Sequence, residues 1–257
     1  MRGKQEPKVA LSIDFDYFIR ENPLWDFGHN ESLTSFHQSV WNIRYGSVNL
    51  YEETDVKKYA DIDPGHLIEE LEVKGFKFSP EVRLCLADSH MHAYAFFKKR
   101  RVSEMYHLDA HHDMYQTSSM IDCGNWLHRY WMENRVKEIH WIYPTWLDEF
   151  GGAVNQFNYK IDIRKFKDVK LDQPVSVGSV FICRSGVWVP PHHDPEFLEM
   201  LLPFTFKTKK ISITPDLKKR TYPNREDALK YYQEQRAIIE SLQRATMAKD
   251  ADETHTS

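Results

Sequence analysis

The sequence predicts one α/β domain built on a mainly parallel central sheet. Two observations carry that expectation. Short apolar runs alternate with helix-period segments along all 257 residues, without an internal repeat or a linker. Clusters of acids and histidines also follow directly on the apolar runs, and a parallel sheet collects its ligands at the carboxyl ends of its strands.

Val9–Phe18 reads as a buried strand, and Pro23 to Gly46 as a long aromatic loop or short helices. A loop of that length beside ligand-type residues tends to be functional, although its rings could equally cover the core. Pro64 sits near the start of a helix through Leu71, with Gly75 near its end. Ser79–Leu86 leads into a strand, and His90–Arg101 has helical spacing with a basic end. Asp122–Met132 is a turn running into a helix, and Lys137–Trp146 a strand closed by Pro144. Phe157–Ile163, Ser176–Cys183 and Lys210–Thr214 are further strands, with a short helix at Glu196–Leu202. Asn224 is placed to cap a last helix with apolar positions Leu229, Tyr232, Ile239 and Leu242. From about Lys249 the chain is polar and is expected to be a disordered tail.

Lys and Arg number 34 against 38 Asp and Glu, a net charge of −4 with no basic half, which argues against nucleic acid as a partner. No run is long and apolar enough to span a bilayer, and Val9–Ile13 is too short for a signal peptide's apolar core. The three cysteines, Cys85, Cys123 and Cys183, are widely spaced and read as reduced thiols. A cytoplasmic protein without membrane contact is the expectation, and a homo-oligomer stays open.

The chemistry centres on Tyr106–Tyr115, YHLDAHHDMY, with Asp109, His111 and Asp113 at alternate positions. In extended backbone, residues two apart point to the same side, so all three converge. Carboxylates around an imidazole suit Mn²⁺, Mg²⁺ or Fe²⁺, with Zn²⁺ also possible. The bland alternative is a solvated acidic turn. Asp14 and Asp16 repeat the alternation inside the apolar run Ala10–Phe18, where an unpaired charge is costly. Leu84–Tyr94 ends in Asp88, His90 and His92. Together these segments offer enough ligands for two cations, which clamp and ionise a water between them. Lys98–Arg101 reads as a solvated helix end, and the His192–His193 pair as surface loop.

SIDFD, ADSH and LDAHHD together resemble the arginase (ureohydrolase) superfamily, with its His, D-x-H-x-D and D-x-D motifs. Asn125–Trp126, the W-I-x-P-T-W run Trp141 to Trp146, and Arg184–Ser185 are similar to its peptide-arginase branch in ribosomal-peptide biosynthesis. The resemblance covers most of the chain in pieces. It implies a three-layer arginase-like fold with permuted strand order, because SIDFD here precedes the central motif. It also implies two Mn²⁺, with His90 and Asp113 on one, His111 and Asp16 on the other, and Asp109 and Asp14 touching both. Asp113 could also hydrogen-bond the bridging hydroxide. His128 would be the proton shuttle, against a packed helix histidine as the alternative, and Asn125 a substrate contact. The acid that grips the guanidinium has no clear match; Asp26, Asp88 and Asp122 are open candidates. The implied activity converts arginine side chains of a ribosomal precursor peptide to ornithine with release of urea. Alternatives are a metallophosphoesterase, a deacetylase-like amidohydrolase, or a metal-stabilised peptide-binding module.

Overall fold

Among the described residues, eight strands, all paired in parallel, run in the order β6-β5-β4-β1-β7-β3-β8, with the two-residue β2 also on β7. They are β1 (Val9–Asp14), β2 (Phe76–Lys77), β3 (Arg83–Ala87), β4 (Glu104–Leu108), β5 (Glu138–Tyr143), β6 (Asp162–Lys165), β7 (Val175–Cys183) and β8 (Lys210–Ile213). The computed structural model describes residues 9–21, 34–116, 120–133, 135–150 and 161–254. Asp26 lies outside those residues.

Helices cover both faces of the sheet, and the strand sequences show why. In β1 every residue is buried, so alternate side chains feed opposite cores. Leu11 and Ile13 join Ile68, Leu71, Phe197 and Phe204 from helices α4 (Leu67–Val73) and α7 (Asp194–Lys207). Ala10 joins Phe181 and Cys183 of β7, with Phe97, Trp126, Leu127 and Tyr130 from α5 (His92–Lys98) and α6 (Trp126–Met132). Asn224 caps α8 (Arg225–Thr254) as expected, its Oδ1 accepting from the Asp227 N–H at 2.9 Å.

Several expectations change. Where a loop or short helices stood between Pro23 and Gly46, Thr34–Ser47 is one 14-residue helix, α1. Its Trp41 and Tyr45 are buried against Val48 and Leu50. Glu196–Leu202 is the middle of the longer α7, whose first turn holds Pro195 without loss, since its N–H would be unpaired there. Ile239 and Leu242 of α8 are exposed, and Ala228 is its buried residue among those with described side chains. The helical backbone of α8 continues to Thr254, past Lys249, where Ala, Lys and Glu are good helix formers. His193 is buried rather than on the surface, its Nε2 2.9 Å from Thr54 Oγ1, and His192 Nδ1 lies 2.6 Å from the Tyr45 hydroxyl. No helix among the described residues is long and apolar enough to cross a membrane.

Phe181 is fully buried at the sheet's centre and stacks at 5.4 Å on the His90 ring. Phe181→Ala should therefore cost about 3–5 kcal/mol. A lower urea midpoint at unchanged m-value would register it.

Candidate metal centre

The carboxyl ends of four adjacent strands, β4, β1, β7 and β3, carry the candidate ligands. Asp14 closes β1, and its Oδ1 accepts from the Asp16 N–H at 3.1 Å, starting a short 3-10 turn over Phe15–Phe18. Asp109 follows β4 and does the same for the His111 N–H at 2.7 Å. The alternating acids are thus not spread along extended strands. Each first acid folds the backbone on itself, as Asp does when its carboxylate reaches two residues ahead. Asp113 then takes a left-handed φ of 53°, as does Ser185 after β7 at 56°. Non-glycine residues hold that conformation only when their surroundings enforce it.

These turns bring distant residues together. His90 Nδ1 lies 3.0 Å from Asp14 Oδ2, 3.0 Å from Asp109 Oδ2 and 3.2 Å from Asp113 Oδ2. His111 Nδ1 lies 3.0 Å from Asp16 Oδ2 and 3.7 Å from Asp109 Oδ1. Asp109 thus presents one oxygen to each imidazole. His107, inside YHLDAHHDMY but not among the expected ligands, completes the first group, its Nε2 3.2 Å from Asp109 Oδ2. All six predicted ligands, Asp14, Asp16, His90, Asp109, His111 and Asp113, lie in this one cluster.

Donor geometry fits a cation. His90 Nδ1, Asp109 Oδ2 and both His107 nitrogens are buried without a hydrogen-bond partner. Atoms of His90, His107, Asp109 and Asp113 lie within 4.8 Å of one another, as do those of Asp16, Asp109 and His111. Cys183 shares a third such group with Asp14 and His90, though its thiol also contacts the Asp88 carbonyl at 3.3 Å. Nothing in the sequence motif marks His107 or Cys183, except that both point inward from strands that end at the site.

Outer partners orient the ligands. His90 Nε2 hydrogen-bonds Ser12 Oγ at 2.7 Å, which leaves Nδ1 to offer its lone pair inward. His111 Nε2 faces Glu21 Oε1 at 3.2 Å. Ser185 donates to Asp14 Oδ2 at 2.9 Å, and the Trp126 indole donates to Asp113 Oδ2. The Trp141 and Trp146 indoles donate to the carbonyls of Asp109 and Tyr17, bracing both ligand-bearing turns.

Burial pushes Asp14, Asp16 and Asp113 above the ordinary carboxylate range, and neighbouring carboxylates push them further. Asp109 is also buried, but His107, His111 and His90 hold it low. Burial acts to lower His90 and His111, and the surrounding carboxylates, Asp113 and Glu21 foremost, reverse that. Burial pulls His107 down to about 3. Protons therefore gather where positive charge is needed.

Other expected residues lie apart. Asp88 is taken by the chain's own Arg184, Nε to Oδ1 at 2.6 Å, and His92 by Asp216 at 3.0 Å. Asn125 donates to the Met120 carbonyl at 2.9 Å and accepts from the Asp122 N–H at 3.0 Å, so its amide shapes the turn before α6. His128 is half-buried on α6, its N–H donating to the Asp113 carbonyl at 3.2 Å and its ring 6.2 Å from that of Trp131.

Compared with protein-family models, curated proteins and solved structures, the chain matches none of them.

A cation that binds only the folded protein should stabilise it by about 2.7 kcal/mol at a hundredfold excess over Kd. Thermal melts of chelator-treated protein with added Mn²⁺ or Zn²⁺ would show the gain, and Asp109→Asn should abolish it. The sign with pH follows from the carboxylates. Stability from the raised Asp14, Asp16 and Asp113 is present at low pH and lost as pH rises through their raised range, Asp109 alone acting oppositely. The gain from added cation should therefore grow as pH rises.

Proposed function

We propose that this protein is a binuclear, manganese-class hydrolase that acts on the guanidinium group of arginine side chains in a peptide. The observation that carries this reading is the pair of overlapping ligand groups that share Asp109. Asp14, His90, Asp109 and Asp113 would hold one cation, and Asp16, His111, Asp109 and Asp14 the other. A cation pair, when bound, supplies Lewis acidity and lowers the pKa of water toward neutrality.

The chain's own groups do the rest. His111 and Glu21 have side chains 25% and 26% exposed, whereas His90 and the four aspartates are at most 4% exposed. The cluster therefore opens on the His111 side. There a carboxylate and the half-buried Trp188 indole, 4.7 Å from the His111 ring, suit a planar cation better than a phosphate. Asp113, held by Trp126 and pushed up by burial, is placed to keep or accept a proton beside His90. His128, whose backbone N–H is bonded to the Asp113 carbonyl, is the candidate to deliver a proton to the leaving amine. The likeness of SIDFD, ADSH and LDAHHD to arginase motifs supports the same reaction class, with strands ordered differently.

A single-cation amidohydrolase is the second reading. The four-residue group with two imidazoles, His90 and His107, favours it, since such a set also suits one Zn²⁺. Bound-metal stoichiometry separates the two.

Incubation with Mn²⁺ and an arginine-containing peptide should remove one carbon, two nitrogens and two hydrogens per modified arginine, as read by mass spectrometry. Unchanged mass across a broad peptide panel, with metal fully loaded, would overturn the assignment. His128→Asn should lower kcat by about 10²–10⁴-fold while leaving metal content intact. Equal kcat would remove His128 from the mechanism.

A further inference from the structure

A second group of metal-type donors lies at the other end of the strands, where the proposed hydrolase has no use for it. Glu104 opens β4 and Glu138 opens β5, directly opposite each other in the register, and His140 sits two residues further on the same face. Glu104 is five residues before Asp109, roughly 16 Å along the strand at about 3.3 Å per residue. This group is thus separate from the centre described above.

His140 is the informative residue. Its Nδ1 lies 2.7 Å from Asp162 Oδ2 on β6, a carboxylate that Arg164 Nε also meets at 2.6 Å. Asp162 can only accept, so the hydrogen resides on Nδ1, and a neutral ring then presents a lone pair at Nε2. Nε2 is buried without a hydrogen-bond partner, and it faces Glu104 Oε1 at 3.3 Å. That oxygen already accepts from the Tyr106 hydroxyl at 2.6 Å, and the Tyr106 ring stacks on His140 at 4.4 Å. Two acceptors facing each other at this distance repel unless positive charge lies between them.

We propose that Glu104, Glu138 and His140 form a separate site for a zinc-class divalent cation, with Asp162 as the carboxylate that orients the imidazole. Donor atoms of the three residues lie within 4.8 Å of one another. Bonds of about 2.0–2.2 Å in a tetrahedron place ligand atoms about 3.3–3.6 Å apart, so the His140–Glu104 pair already has the spacing. Glu138 is exposed, with a carboxylate oxygen within 4.8 Å of the other donors, and a fourth position is left for water or a further ligand. A carboxylate bonded to the far nitrogen of a ligating imidazole is the usual outer support of such a site. The competing occupant of the gap is a proton, which would make His140 an imidazolium bridging Asp162 and Glu104.

Zinc titration by calorimetry of full-length Asp109→Asn protein separates the two. That substitution disables the main centre, so one residual equivalent at micromolar affinity is expected. His140→Ala should remove it, and Asp162→Asn should weaken it by about 10- to 100-fold. Glu138→Gln changes an exposed side chain and leaves folding intact, and it should also weaken binding at least tenfold. X-ray absorption of the residual zinc should show one imidazole among oxygen donors. No residual equivalent, one that saturates only at millimolar zinc, or one untouched by Glu138→Gln and His140→Ala would overturn the site. None of these outcomes bears on whether the main centre binds metal, which unmodified protein reports separately.

Discussion

Four carboxylates buried against one another impose the constraint around which this molecule is built. Asp14, Asp16, Asp109 and Asp113 are each at most 3% exposed, inside a core of aliphatic and aromatic side chains. An isolated buried charge is prohibitive, and a buried ion pair recovers its desolvation cost only with good geometry and further hydrogen bonds. Even three imidazoles cannot balance four anions, so the cluster needs protons or cations. The raised carboxylates and imidazoles show the first solution, and the inward-facing unpartnered nitrogens of His90 and His107 suit the second.

Holding such a cluster in one geometry takes rigid surroundings, and the chain supplies them with long side chains aimed at backbone. Three indoles and two serines fix the ligand turns. The loop after β7, which carries Ser185 to Asp14, is gripped in turn. Trp41 and Arg220 donate to the Gly186 carbonyl at 2.7 and 2.8 Å, and Arg44 donates to that of Val187. Arg184 and Arg220 share Asp194, and Asp88 takes Arg184. Gly186 is required there, since a Cβ would stand 2.6 Å from Asp88 Oδ2. The left-handed Ser185 is thus enforced from every side, as strain at a working site requires.

Among the described residues, the same arrangement closes the cluster on the His90 side and leaves it open on the His111 side. Helices α5 and α6 seal the His90 side through Trp126 and Phe97, whose rings stack 5.9 Å apart. His111 lies on a turn beyond the strand ends, which no helix covers among the described residues.

Much of this is legible in the residues alone. Apolar runs ending in acids locate β1, β3 and β4, and alternation with helical segments implies the parallel sheet, because both follow from burial and period. The clustering of the six candidate ligands was also expected, since acids inside apolar runs need positive charge beside them. What sequence could not decide was everything set by contact between distant segments. Asp88 and His92 carry the same chemistry as His90, yet Arg184 and Asp216 claim them, and only the folded chain brings those partners close. His107 shares an inward side with Asp109 two residues on, but only the fold brings His90, from the end of β3, against both. The strand order itself was undetermined, because a parallel sheet selects neighbours by the fit of whole faces rather than by rank along the chain.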